Sequence, residues 1–203
     1  MAARIPGKPI GEHAGTALIR DKQRQKKAVK EMLIRLTAVL AIVAGFILSA
    51  CSVQKTYFDA DMASGNGEAR SGNLTKAVEH YRAALWRAKN HLDAAEISSA
   101  YYNLGKTLRQ QGRFEQSVEA LFESINYAAK AGTFDALATG RRHVEIAASY
   151  AGLGRWKTGA PYVKRLVSIH DEYSGQEAEF VRILFREYKK NLTELGEDAT
   201  FIP

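Results

Sequence analysis

The chain has 203 residues, 46% hydrophobic and 25% charged, with a formal charge of +7 and a single cysteine. That composition is ordinary for a globular domain with a sizeable core and excludes a disordered, collagenous or low-complexity chain. One thiol also excludes an internal disulfide and any zinc site built from cysteines, which needs two or more thiolates at short spacing.

The positive charge is not spread evenly. Residues 1–50 hold nine Lys/Arg against three Asp/Glu, whereas residues 52–203 hold 20 against 19. A binder of phosphate backbones needs cations clustered on its folded surface, because released counterions drive the association. The nearly neutral C-terminal part therefore argues against a nucleic-acid partner.

Residues 1–31, "MAARIPGKPIGEHAGTALIRDKQRQKKAVKE", carry Pro6, Pro9, a cationic run and no apolar periodicity. This is far longer than the basic region of a signal peptide requires. Met32 follows, and "MLIRLTAVLAIVAGFILSAC" read from there is a compact signal with one Arg. The expectation is that translation starts at Met32; a basic, disordered cytoplasmic leader is the alternative.

From Leu36 to Gln54 there is no charge. A spanning helix wants about 20 apolar residues and a signal core roughly 7 to 15, so length leaves both open. The exit is more informative: Leu48, Ser49, Ala50 and Cys51 form a branched apolar residue, two small residues and a thiol. A membrane helix has no need of that ending, but a processing enzyme does. The four residues resemble the lipobox of bacterial lipoproteins. The resemblance implies that 32–50 is a cleaved signal peptide, that Cys51 takes a diacylglyceryl group and becomes the first residue, and that 51–57 is a lipidated linker. Two or three acyl chains are what holds a folded domain stably on a bilayer. Ser52, in place of Asp after the cysteine, is compatible with onward transport to an outer membrane. An uncleaved signal anchor with Cys51 as a passive thiol is the alternative. In both readings Arg35 and the cations before it favour the cytoplasm, so the rest of the chain faces outward.

Three later stretches share a pattern: "SGNLTKAVEHYRAAL" around Gly72, "QGRFEQSVEALFES" around Gly112 and "LGRWKTGAPYVKRLV" around Gly154, spaced by 40 and 42 residues. Each is a Gly, a polar residue and a large apolar one, then a helical stretch with apolar positions three and four apart. Before Gly112, "SAYYNLGKTLRQQG" places Tyr101, Leu104, Gly105 and Leu108 on one helix face, where they should meet Val118, Leu121 and Ile125. These features resemble the tetratricopeptide (TPR) repeat, two antiparallel helices with Leu-Gly midway along the first and Gly at the turn. The resemblance implies an all-α fold, a TPR-like antiparallel helical-pair solenoid of about seven helices after the signal.

The domain should cover 58–195, with repeats near 58–91, 98–131 and 141–170, a capping helix over 176–195 and a frayed tail over 196–203. Gly65 and Gly67 weaken the first helix of the first repeat, since glycine costs about 1 kcal/mol inside a helix. Pro161 falls early in a helix, where its missing donor is tolerated. The capping stretch puts Phe180, Ile183, Leu184 and Tyr188 on its buried stripe.

Catalysis finds little support. Asp59/Asp61 and Glu177/Glu179 are spaced i, i+2 and point to different helix faces. His143 and Glu145 have no nucleophile at a useful spacing, and the five histidines show no ligand spacing. Neither catalytic residues nor a metal or cofactor is expected. A stacked solenoid instead binds partners along the face lined by the first helix of each pair. On that face stand Tyr102, Asn103, Lys106 and Arg109, then Arg141, Val144 and Glu145, a tyrosine and cation set suited to a peptide with acidic groups. Lipoproteins carrying such repeats resemble pilotins, members of outer-membrane protein assembly machines and adaptors of peptidoglycan enzymes. A lipid-anchored scaffold facing the periplasm is the implied function, with an inner-membrane, signal-anchored assembly subunit as the alternative.

Overall fold

The computed structural model describes residues 12–91, 93–133 and 135–203; the side chains of 12–21, 23, 28, 38, 41–52 and 89–91 lie outside the description. The expected leader over 1–31 is covered only in part, and the exit of the apolar run, including Cys51, falls on undescribed side chains. The described residues are helical with no strand: α1 (Glu12–Arg70), α2 (Leu74–His91), α3 (Ala94–Gln110), α4 (Phe114–Lys130), α5 (Ala136–Gly152), α6 (Trp156–Val167), a 3-10 turn at His170–Glu172 and α7 (Gly175–Glu194). Two compact units result, Met1–Ala50 and Cys51–Pro203.

The first unit contributes the N-terminal part of α1. Its described side chains are all exposed, including Met32, Leu33, Ile34, Leu36, Val39 and Leu40. Among the described residues no helix is long and apolar enough to cross a membrane.

The second unit is the stack of helical pairs. Turns at Gly72, Gly112 and Gly154 have φ of 81°, 74° and 67°, a region that glycine alone adopts without cost. Each turn reverses the chain and sets the next helix antiparallel to the last. α3 and α5 start on side-chain caps: Asp93 accepts from the Glu96 amide, and Asp135 from those of Leu137 and Ala138. These caps start both helices a turn earlier than the repeat boundaries at 98 and 141 suggest.

The core divides into two hydrophobic clusters. One joins Phe58, Tyr81, Leu85, Ile97, Leu104 and Leu108 with the small residues of α2; the other joins Val144, Val163, Leu166, Val181, Leu184, Phe185, Tyr188 and Leu192. Between them run buried hydroxyls. Ser117 Oγ donates to the Gly105 carbonyl at 2.7 Å and lies 2.9 Å from Ser149 Oγ. Ser98 and Ser124 donate to each other's carbonyls at 2.8 Å, and Arg142 reaches both hydroxyls from α5, at 2.8 and 2.7 Å. A buried polar network with every member satisfied fixes the register of one repeat on the next.

Several expectations are revised. The first-repeat helix continues to Arg70 despite its glycines, because Gly65 is where the Tyr81 ring packs: a Cβ there would lie 2.6 Å from it. The stripe of α7 that enters the core is Val181, Leu184, Phe185, Tyr188 and Leu192; Ile183 is 42% exposed. The closing residues do not fray, since Ala199 and Ile202 are buried against the second cluster. Pro161 is the sixth residue of α6, past the first turn, so the Lys157 carbonyl loses its helical donor.

Candidate functional site

The first helices of successive pairs lie side by side and form two adjoining grooves. The one between α3, α5 and α7 encloses about 200 Å³ and is lined by Tyr102, Lys106, Arg109, Arg141, Val144 and Glu145, with Tyr173, Gln176, Glu177, Phe180 and Val181 opposite. Six of the seven side chains assigned to the partner face from sequence thus line one groove. The seventh, Asn103, lines the neighbouring groove of about 340 Å³ between α1, α2 and α3, with Asn66, Ala69, Arg70, Tyr81, Lys106, Thr107 and Gln110. Lys106 borders both.

Within the first groove the residues do different work. Val144 and Glu145 are 6% and 5% exposed and form its floor rather than projecting into it. Arg109 Nε donates to Glu145, and the Arg109 guanidinium sits 5.1 Å from the centroid of the Phe180 ring. Arg141 binds Glu177 with Nε at 3.0 and 3.2 Å and Nη2 at 2.9 Å, but these side chains are 41% and 48% exposed. An exposed ion pair is worth about 0 to 1 kcal/mol, so Arg141 can exchange Glu177 for another carboxylate at little cost. Burial, and next the Glu145 carboxylate, push the Tyr102 hydroxyl above its ordinary range. Tyr173 is pushed up to about 12 by burial and then by Glu177, and its buried hydroxyl has no hydrogen-bond partner. The side chains from α7 and Tyr173 escape a reading of the repeats alone. What could reveal them is a spacing: Arg109 to Glu145 and Arg141 to Glu177 are both 36 residues apart, one cation and one acid on consecutive first helices.

The same spacing fails one step upstream. Arg70 and Lys106 are again 36 apart, but both are cations, and the groove they line contains no carboxylate. Neither has a carboxylate within ion-pair distance among the described residues. Asn66 Oδ1 accepts from the Tyr81 hydroxyl at 2.8 Å; the rest of that wall is amide, hydroxyl and cation. Two cations thus line this groove with no acid beside them among the described residues.

Residues 98–130 match the family model of the tetratricopeptide repeat. The fold is a TPR-like helical solenoid. It is similar to the solved structure of a Podosopora anserina putative kinesin light chain with nearly identical TPR-like repeats, and to that of a single-substitution variant of the same protein, each 14% identical over 76% of this chain and 78% of that one, at a TM-score of 0.54. BtubC (BKLC) from P. vanneervenii is 13% identical over 73% of this chain and 66% of its own, at a TM-score of 0.49. Among curated proteins none matches this chain. The repeat match covers α3 and α4, the pair whose buried Gly105, Ser117, Leu121 and Ser124 hold the stack together.

On the opposite face Tyr162 gathers Phe122, His143 and Tyr150 at ring distances of 6.0, 5.7 and 5.9 Å. Burial, helped by Arg165 and Arg142, pushes His143 down to about 4 from 6.5. The unfolded chain therefore takes up a proton that the folded one refuses. The resulting stability is intact above pH 6.5 and is lost as pH falls through 6.5 toward 4. Replacing His143 by Phe should flatten the urea midpoint across that window; an unchanged slope would place the acid sensitivity elsewhere.

Proposed function

We propose that the protein is a lipid-anchored scaffold of the bacterial cell envelope, held to a membrane through Cys51, whose repeat domain captures an acidic segment of an envelope protein along the first-helix face. A protein-protein interaction scaffold is what the repeat match and the fold suggest. The finer reading rests on one observation, the unbalanced pair Arg70 and Lys106 at a position where the next two junctions each carry a cation and an acid. A partner carboxylate in that groove would complete the series. Asn103 and Gln110 offer amide donors beside it, and Arg141 and Tyr102 extend the surface toward α7.

For the anchor, the support is the sequence Leu48-Ser49-Ala50-Cys51 at the end of an apolar stretch whose described side chains find no core. The partner belongs with secretin and pilus, outer-membrane protein or peptidoglycan machinery, facing the periplasm, with the outer membrane favoured by Ser52. The uncharged stretch from Leu36 to Gln54 is also the length of a spanning segment, which favours the second reading, a signal-anchored inner-membrane assembly subunit. Cleavage blocked by globomycin supports the lipoprotein; cleavage indifferent to it supports the anchor. For the groove, crosslinking in membranes of the intact protein should lose its partner in Lys106→Glu and Arg70→Glu and weaken in Tyr102→Ala and Arg141→Glu. Unchanged crosslinks in all four would move the partner off this face.

A further inference from the structure

Among the described residues of Cys51–Pro203, the large apolar side chains left in solvent are few: Trp86 at 62%, Tyr57 at 53%, Val53 at 50%, Leu195 at 49%, Ile183 at 42% and Phe122 at 36%. The three most exposed all belong to the first helical pair. Val53 and Tyr57 are four residues apart on α1 and share a face. They stand two and six residues after Cys51, so they rise about 3 and 9 Å from it along the helix. α2 runs back antiparallel, and its Arg87 guanidinium lies 5.0 Å from the centroid of the Tyr57 ring, which sets the last turns of α2 level with the first turns after Cys51. Trp86 is the residue before Arg87. An apolar and aromatic end of the domain thus coincides with the end that carries the candidate acyl acceptor.

Two cations of this end already have acidic partners. Arg87 donates to Asp61 at 2.7 Å, and Lys55 pairs with Asp59 at 3.1 Å and Glu96 at 2.5 Å. Neither of these two cations is left to recruit anionic lipid. Trp and Tyr, by contrast, prefer the headgroup level of a bilayer, where an apolar ring body and a polar edge are both accommodated. Long cationic side chains beside them can keep their heads in water while their stems lie in the interface.

We infer that the end of the first helical pair carrying Val53, Tyr57 and Trp86 seats in the headgroup region of the bilayer as a second, protein-borne contact beside the acyl chains, an inference that rests on the lipoprotein reading of Cys51. Lipid is the occupant because acyl chains on Cys51 bring the bilayer to within two turns of these side chains. The contact fixes how the domain stands on the membrane and keeps the grooves of α1, α3 and α5 at a set height. Because Lys55 and Arg87 are paired, the contact does not draw on them and forms on zwitterionic lipid.

The chain has two tryptophans, which makes the seat measurable. Trp156 packs edge-on against Tyr188 at 5.1 Å in the C-terminal cluster and serves as the internal reference. The full chain, expressed and processed in its own membrane, is purified in detergent and reconstituted into phosphatidylcholine vesicles with brominated acyl chains. In Trp156→Phe the remaining Trp86 should shift to the blue and lose emission to the brominated chains, as a ring seated at the interface does. In Trp86→Phe the emission of Trp156 should be untouched. The difference between wild type and Trp86→Phe reports the same quantity if Trp156→Phe does not fold. Mass spectrometry of the N-terminal peptide separates the two ways of failing. An acylated Cys51 with Trp86 no more quenched than Trp156 overturns the seat and leaves the anchor standing; an unmodified thiol overturns both. Trp86 shifted in native membranes but not in pure vesicles means a protein covers the patch, and the seat is again overturned.

Discussion

Replacing Glu145 by Ala is expected to lower the unfolding free energy by about 3 kcal/mol, near the lower end of what is lost when one partner of a buried ion pair is removed. Glu145 is almost fully enclosed, and the Arg109 side chain that donates to it is 19% exposed and covered by Phe180. Without the carboxylate, Arg109 keeps its desolvation cost and loses its compensation. The remaining access to groove water is why the loss should sit low in the range. The double replacement Arg109→Met with Glu145→Leu should recover most of the loss, because apolar residues of similar size often equal or exceed a buried pair. Urea denaturation of the wild type, Glu145→Ala and the double variant supplies the test. A cost under about 1 kcal/mol for Glu145→Ala would mean that the pair behaves as a surface bridge and that the groove floor is wetter than its geometry indicates. The double variant has a second use. It keeps the stack and removes one cation of the first groove, so partner capture that survives in it assigns recognition to Lys106, Arg70 and Arg141.

The repeat architecture was legible because it is written in local terms. Gly72, Gly112 and Gly154, all at positive φ, recur at nearly constant spacing, each followed by an amphipathic helix, and pairs so built have only their neighbours to pack against. The first-helix face was legible for the same reason, since residues three and four apart on α3 and α5 share one side. Other features depend on tertiary partners. Gly65 and Gly67 weaken a helix by propensity, yet Gly65 is required by the Tyr81 ring that packs on it from α2. The buried stripe of α7 is rotated from the expected one: Phe180 lies at its edge, partly buried and under Arg109, while Val181 and Phe185 enter the core. Ile202 is buried only because α6 and α7 leave an apolar gap at the end of the stack that the last residues fill. The pairing of Glu177 with Arg141 could be found only by comparing consecutive first helices with one another, and that comparison also isolates Arg70 and Lys106.

The junction inside the central repeat gives the second large effect. Leu121 is fully buried, and a Cβ on Gly105 would lie 2.7 Å from Leu121 Cγ, 3.0 Å from Cδ2 and 3.2 Å from the Ser117 carbonyl oxygen. Leu121→Ala should cost about 2 to 5 kcal/mol through lost burial and the cavity left between α3 and α4. Gly105→Ala should also destabilise, by about 1 to 3 kcal/mol, because the methyl is forced against a side chain with no room to retreat. In the double variant the new methyl enters space that Leu121 has vacated, and alanine regains the roughly 1 kcal/mol that glycine costs inside a helix. The two changes should therefore fall short of additivity by at least about 1 kcal/mol, a coupling expected only of side chains in contact. The Ser117 carbonyl limits the recovery, since it belongs to backbone that Ser117 Oγ already ties to Gly105 at 2.7 Å. Strict additivity would show that α3 and α4 are not held at this spacing by Gly105. Lys106 and Arg109 ride on the same helix as Gly105, so a shift of α3 against α4 would also strain the hold of Glu145 and Phe180 on Arg109 in the first groove.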